Sequence, residues 1–170
     1  MRKAIIFIAA LGACAAPASK TGPAVTAPSL SFEAKSWGKP LSAWTIEPSG
    51  RGRYTASKAA PSGKFREYDL ITRTFDAAPA DYRRVEQLLD PARAYAGADL
   101  PCRMMVTDQV YGKVRWEGPG GHRELSFNLG CTSKDVTPLY EAFWQAQKLV
   151  EGLAQAGTVV ETREVRDPPG

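Results

Sequence analysis

Gly118-Pro119-Gly120-Gly121 admits little but a tight turn, and it separates two segments with strand character. Gly112 to Glu117 precedes it, and His122 to Leu129 follows with Leu125, Phe127 and Leu129 at alternate positions. A β-hairpin is the expected result. Alternation puts Val114, Trp116, Leu125, Phe127 and Leu129 on its buried face and leaves Lys113, Arg115, Glu117, Arg123, Glu124 and Asn128 on the other. A helix should cover the apolar face. Thr137 suits an N-cap, Pro138 the first helical position, and Glu141 the positive end of the helix dipole. Leu139, Ala142, Phe143, Ala146, Leu149, Val150 and Leu153 then recur at three- and four-residue steps until Gly157 closes the helix. Ahead of the hairpin, Arg103 to Thr107 is a further strand candidate and Asp108 to Tyr111 a turn.

The first half repeats this plan. Ser42 to Glu47, Gly52 to Ser57 and Phe65 to Phe75 are strand candidates, joined by turns at Pro48 to Arg51 and Ala59 to Gly63. Pro79, Ala80 and Asp81 open a helix with a stripe of Tyr82, Val85, Leu88, Leu89 and Ala92, which Asp90-Pro91 should bend or end. Gly52-Arg53-Tyr54 aligns with Gly112-Lys113-Val114, Phe65 to Leu70 with His122 to Phe127, and Tyr82 with Leu139. These matches describe a tandem strand-strand-strand-helix unit with half-repeats at 37–98 and 101–157. Similar hairpins followed by helices would also arise without duplication, and only Gly, Arg and Glu coincide between the halves. The expected fold is α+β: an antiparallel sheet of about six strands with two helices on one face and the other face open.

Residues 37–165 are enough for one domain with a single core, and 166–170 read as a disordered tail. Residues 14–36 are mostly Ala, Pro, Ser, Thr and Gly, with Lys20, Glu33 and Lys35 as charges and Phe32 as the lone aromatic. That composition predicts a flexible tether.

The start of the chain carries Arg2 and Lys3, an apolar run from Ala4 to Leu11, and then Leu11-Gly12-Ala13-Cys14. This stretch resembles the lipobox of bacterial lipoproteins, which implies a signal peptide over 1–13 removed before Cys14 and acylation of the Cys14 thiol with diacylglycerol (palmitate among its chains) and of the new amino group. Several acyl chains at roughly 0.8 kcal/mol per buried CH2 anchor firmly where one does not. Ala15 in the following position points to the periplasmic leaflet of the outer membrane. An ordinary secretory signal cut after Ala16 or Ala18 is the alternative. The chain's 22 basic residues fall to 20 against 18 acidic once Arg2 and Lys3 are removed, about +2 with the amino group blocked, which excludes a nucleic-acid-binding signature.

With Cys14 committed to lipid, Cys102 and Cys131 form an even pair in an oxidising compartment, and a disulfide between them is expected. There is no C-x-x-C, and His122 is the single histidine, so no redox, metal or cofactor site is predicted.

Signals for catalysis are equally sparse. No G-x-S-x-G occurs, His122 has no partner at a recognisable spacing, and carboxylate pairs such as Glu67 with Asp69 or Asp108 with Glu124 are what eighteen acidic residues give by chance. Trp44 and Trp116 read as core, while Trp37, Trp144, Tyr111 and Tyr140 are less easily placed. Arg51, Arg53, Arg66, Lys113, Arg115 and Arg123, with Thr55 and Asp69 beside them, define a candidate binding face whose bland alternative is a solvated sheet surface. The expectation is a membrane-anchored envelope lipoprotein acting as a structural or adaptor module, with an envelope protein or an anionic glycan as partner. The alternative is a periplasmic enzyme inhibitor or small-ligand-binding protein, with an enzyme third.

Overall fold

The structure, a computed structural model, describes residues 27–166. The signal peptide, Cys14 and residues 167–170 of the tail lie outside the described residues. The strands in chain order are β1 (Ser29–Ser36), β2 (Lys39–Ile46), β3 (Arg51–Ala59), β4 (Tyr68–Asp76), β5 (Met104–Met105), β6 (Tyr111–Gly118), β7 (Gly121–Asn128), β8 (Cys131–Thr132) and β9 (Thr158–Val165); the helices are α1 (Pro79–Arg93) and α2 (Thr137–Gln155). The fold is α+β. Seven strands, rather than about six, form one antiparallel sheet in the order β7-β6-β1-β2-β3-β4-β9, and β5 pairs with β8 apart from it.

The additional strand at the centre comes from the segment expected to be tether. Ser29–Ser36 alternates small or charged residues with Leu30, Phe32 and Ala34, and those three are buried. A period of two over eight residues outweighed a low-complexity composition. Arg103 to Thr107, expected as a strand of the main sheet, contributes only the exposed pair Met104–Met105 beside β8. Thr158–Val165, for which the sequence reading named no element, is the edge strand β9.

The register is symmetric about the Phe32–Trp44 pair of β1 and β2. Ala34 faces Gly112 as Ile46 faces Gly52; Phe32 faces Val114 as Trp44 faces Tyr54; Leu30 faces Trp116 as Ser42 faces Ala56. One further strand out, Phe127 faces Gly112 and Phe75 faces Gly52, and a Cβ on either glycine would collide with the opposing aromatic ring. The two units are therefore β2-β3-β4-α1 and β1-β6-β7-α2. The second unit borrows its first strand from the chain's start, and Phe127 corresponds to Phe75 rather than to Leu70 as the sequence alignment had it, because the β3–β4 connection is longer than the β6–β7 turn.

Both helices cover one face. Tyr82, Val85, Leu89 and Ala92 of α1 and Leu139, Phe143, Ala146 and Val150 of α2 join Leu30, Phe32, Trp44, Ile46, Val114, Trp116, Leu125 and Phe127 in a single core. Tyr82 donates its hydroxyl to the Pro28 carbonyl at 2.5 Å, fixing the entry of β1. α1 continues through Pro91 and ends two residues beyond it, at Arg93. Val136, not Thr137, is the N-cap of α2, and the Thr137 hydroxyl donates to the Ser133 carbonyl at 3.0 Å. Leu129, expected on the buried face, is 37 % exposed because β7 stops at Asn128 and the alternation stops with it.

Candidate functional site

The uncovered face of β1, β6 and β7 is a grid of polar side chains. Pairing aligns Ser31, Arg115 and Glu124 in one row, Glu33, Lys113 and Ser126 in the next, and Lys35, Tyr111 and Asn128 in a third. Glu124 is the hub: it accepts from Lys113 Nζ and from Arg115 Nε, each at 2.5 Å. Arg115 Nη2 also reaches Glu33 at 3.4 Å, and Lys35 lies 3.6 Å from the other oxygen of Glu33. His122 closes the end of the network, 3.2 Å from Glu117 and 4.0 Å from Glu124. The hydrogen bond from Lys113, then that from Arg115 acting against partial desolvation, holds the Glu124 carboxyl below its ordinary range.

A wall rises beside this grid. After α1 the chain crosses the outer edge of β7, where Gly97 N–H donates to the Glu124 carbonyl at 2.9 Å, and Val106 N–H then donates to the Gly130 carbonyl at 2.8 Å. Between these points the disulfide Cys102–Cys131, Cα atoms 5.2 Å apart, ties the crossing to the segment after β7. The expected pairing of the two cysteines is thus present. Asp99, Leu100 and Met105 face Glu33, Lys35, Lys113 and Ser126 across a groove of about 510 Å3. Three cations, Lys35, Lys113 and Arg115, meet three carboxylates, Glu33, Glu124 and Asp99, so the groove and its margin are balanced in charge.

A small apolar slot of about 160 Å3 adjoins it through Phe127 and Tyr140. Leu41, Val110, Leu129 and Trp144 line the slot, and Trp144 is 60 % exposed. Tyr140, whose hydroxyl donates to the Asn128 carbonyl at 2.8 Å, stands between the two spaces. The sequence did not single out this wall. Its only signal was the cysteine pair, which says that 102 and 131 meet but not which face their loop overhangs.

The six cations of the sequence-derived face are dispersed. Lys113 and Arg115 lie in the grid; Arg53 is on the same face but pairs with Glu161 at 2.8 Å, and Arg51 pairs with Glu47 at 2.8 Å. Arg123 is not on the open face: it lies opposite Trp116, in phase with Leu125 and Phe127, because neighbours in a strand cannot share a face. Arg66 is in the β3–β4 connection, since β4 begins at Tyr68 rather than Phe65. Asp69 is in phase with Ile71, Arg73 and Phe75, on the helix side beyond the helices, and Arg166 holds it at 2.6 Å. Thr55 is on the open face and shares a 3.0 Å hydrogen bond with Thr72. Glu67 pairs with Lys64 at 3.0 Å, so Glu67 and Asp69 are each neutralised by a separate cation. Trp44 and Trp116 are buried as expected and Trp37 is exposed. Among the described residues, no three His, Cys, Asp or Glu side chains gather as metal ligands.

Comparison with protein-family models, with curated proteins and with solved structures finds no match for this chain.

Proposed function

We propose that the chain is a lipid-anchored module of the cell envelope that holds an extended segment of a partner protein in the groove between the disulfide-tied crossing and the open sheet face. The observation that carries this reading is the groove itself: backed by a rigid sheet, apolar at Leu100 and Met105, and balanced in charge at Glu33, Lys35, Lys113 and Asp99. A polyanion such as a glycan or lipid phosphate would need uncompensated cations, whereas these are already paired. A peptide, carrying side chains of both signs and apolar ones, matches such a lining by exchanging ion pairs without leaving a charge alone. The adjoining slot beside Trp144 offers an aromatic or aliphatic side chain a place to anchor. The anchor rests on the lipobox resemblance at Leu11-Gly12-Ala13-Cys14.

Two measurements test the proposal. A clickable palmitate analogue should label the wild-type chain and not Cys14→Ser, which should leave the membrane fraction; a labelled, membrane-bound serine variant removes the anchor. A photo-crosslinking amino acid at Ser126 or Asp99 should trap a discrete adduct in intact cells, with little at Arg84 on the outer side of α1. Equal trapping at all three positions, or none, removes the groove as the binding site.

A further inference from the structure

We propose that β9 is a self-association edge: two copies of the chain pair their β9 strands antiparallel about Thr162, joining two seven-stranded sheets into one.

Thr158 to Glu164 is exposed throughout, so β9 adds none of these side chains to the core, yet it is paired with β4 over seven positions. Val159 and Val160 stay 45 % and 49 % exposed. The two ends of the sheet are also treated differently. At β7 the edge is crossed by the segment bonded through Gly97, while no strand among the described residues lies beyond β9. A bare eight-residue edge presents a row of unpaired backbone groups that another strand can complete.

The phase of the ladder selects the partner register. At the two ends of the β3–β4 hairpin Ala77 N–H donates to the directly opposite Gly50 carbonyl at 2.8 Å and Ala60 N–H to the directly opposite Glu67 carbonyl at 3.2 Å, so odd-numbered residues of β4 bond to β3 and even-numbered ones to β9. Thr72 pairs with Glu161, Leu70 with Arg163 and Tyr68 with Val165, so these β9 residues bond inward. Thr162 and Glu164 are left to bond outward, and Val160, which the β-bulge between Thr72 and Arg73 leaves unpaired with β4, lies beside them. A second β9 running antiparallel must therefore meet the first with outward residues opposite one another, which excludes every register centred between two residues. Centring on Glu161 or on Thr162 overlaps the two strands equally, but the first sets Glu161 against Glu161, whereas centring on Thr162 places Glu161 of each copy opposite Arg163 of the other, twice.

That pairing is complementary. Glu161 and Arg163 lie on the same open face, and the non-hydrogen-bonded positions they occupy bring side chains closest across a ladder. Glu161 already takes one cation from Arg53, whereas Arg163 has no ion pair among the described residues. The partner's Glu161 supplies one and extends the row Arg53, Glu161, Arg163 across the interface. Val160 meets Glu164 of the other copy on the opposite face.

The test uses the purified full chain in detergent. Thr162→Cys should give a disulfide-linked dimer within minutes under mild oxidation, at least tenfold above Ser57→Cys on the neighbouring face. Arg163→Glu should abolish the dimer in sedimentation by setting Glu161 opposite a second carboxylate, and the exchange Glu161→Arg with Arg163→Glu should restore it. A chain that stays monomeric at hundreds of micromolar with no excess cross-linking at Thr162→Cys overturns the proposal, as does a dimer indifferent to the charge exchange. Occupation of β9 by a different protein's strand, seen as a Thr162→Cys adduct of unequal mass, overturns it too.

Discussion

Trp44 donates its indole N–H to Gln147 Oε1 across 2.9 Å in the middle of the core, joining the central strand β2 to the helix α2. The amide nitrogen of the same glutamine donates to the Tyr54 hydroxyl at 3.1 Å, so one polar side chain on an otherwise apolar stripe satisfies two aromatic groups of the sheet. Burial, with the charge of Glu151 acting in the same direction, pushes the Tyr54 phenol up and keeps it neutral. Polar groups away from water are costly unless paired, so this arrangement fixes which turn of α2 sits over β2 and β3.

Gln147→Leu should therefore destabilise the domain although it adds apolar surface. It leaves the Trp44 N–H and the Tyr54 hydroxyl without partners, and unmade bonds of this kind cost about 1–3 kcal/mol each. Urea denaturation followed by tryptophan fluorescence measures it. A neutral or stabilised variant would show that the bonds do not hold the helix in place.

Phe143 is 2 % exposed and lies against Phe127 and Tyr140, with ring centroids 5.2 and 6.2 Å away. Phe143→Ala should cost about 3–5 kcal/mol. Arg53→Ala, on the uncovered face, loses only an ion pair with Glu161 and should stay within about half a kcal/mol. The contrast in denaturation midpoints checks which face is the core; equal losses would contradict the layering.

The legible parts of the chain were those with strong periodicity. The β6–β7 hairpin and the stripe of α2 could be read because a glycine-rich turn and three- and four-residue spacing are local signals. β1 was not, because its alternation depends on Leu30, Phe32 and Ala34 alone, embedded in residues that favour no fixed structure. β9 was hidden for a different reason: a strand exposed on both faces has no burial pattern to show. At the site, Lys113, Arg115 and Glu124 were placed correctly by alternation, whereas Arg123 was placed against it. The groove wall at Asp99 and Leu100 depends on a loop path that no local rule encodes.

Loss of the disulfide should loosen that wall. The bond closes a separation of 29 residues, and the chain-entropy account gives about 3–4 kcal/mol for a loop of that size. Cys102→Ala with Cys131→Ala should lower stability by about that amount and raise amide exchange at Gly97 and Val106, whose bonds to Glu124 and Gly130 hold the crossing. Non-reducing peptide mapping of the full chain made in its native host should first find 102 joined to 131; free thiols at both would refute the pairing.

Acid should weaken the grid in a defined window. The Glu124 carboxyl is held below its ordinary value of 4.5 in the fold by Lys113 and Arg115, so folding favours its ionised form. Its contribution is complete above pH 4.5 and is lost as pH falls through the lower, folded-state value. The stability gap between wild type and Glu124→Gln should therefore be constant from pH 7 to about 5 and close below 4.5. A gap that does not shrink as pH falls below 4.5 would mean that the ion pairs do not set it.

The most demanding test concerns where the domain begins. Read from composition, the folded part starts at Trp37, and a chain truncated there should lose nothing. In the structure β1 lies between β2 and β6, and Leu30, Phe32 and Ala34 fill the core at the centre of the sheet's symmetric register. Removing it would leave β2 and β6 with no strand between them and strip the Tyr82 hydroxyl of its Pro28 partner. Each large buried side chain lost costs about 3–5 kcal/mol, and a domain of this size is stable by only about 5–15 kcal/mol. A fragment beginning at Trp37 should therefore be unfolded by circular dichroism and amide dispersion, whereas one beginning at Ala27 should unfold cooperatively. Phe32→Asp in the full chain should reproduce the truncation. A cooperative transition in the Trp37 fragment would show that β1 is an accessory to the sheet rather than its centre.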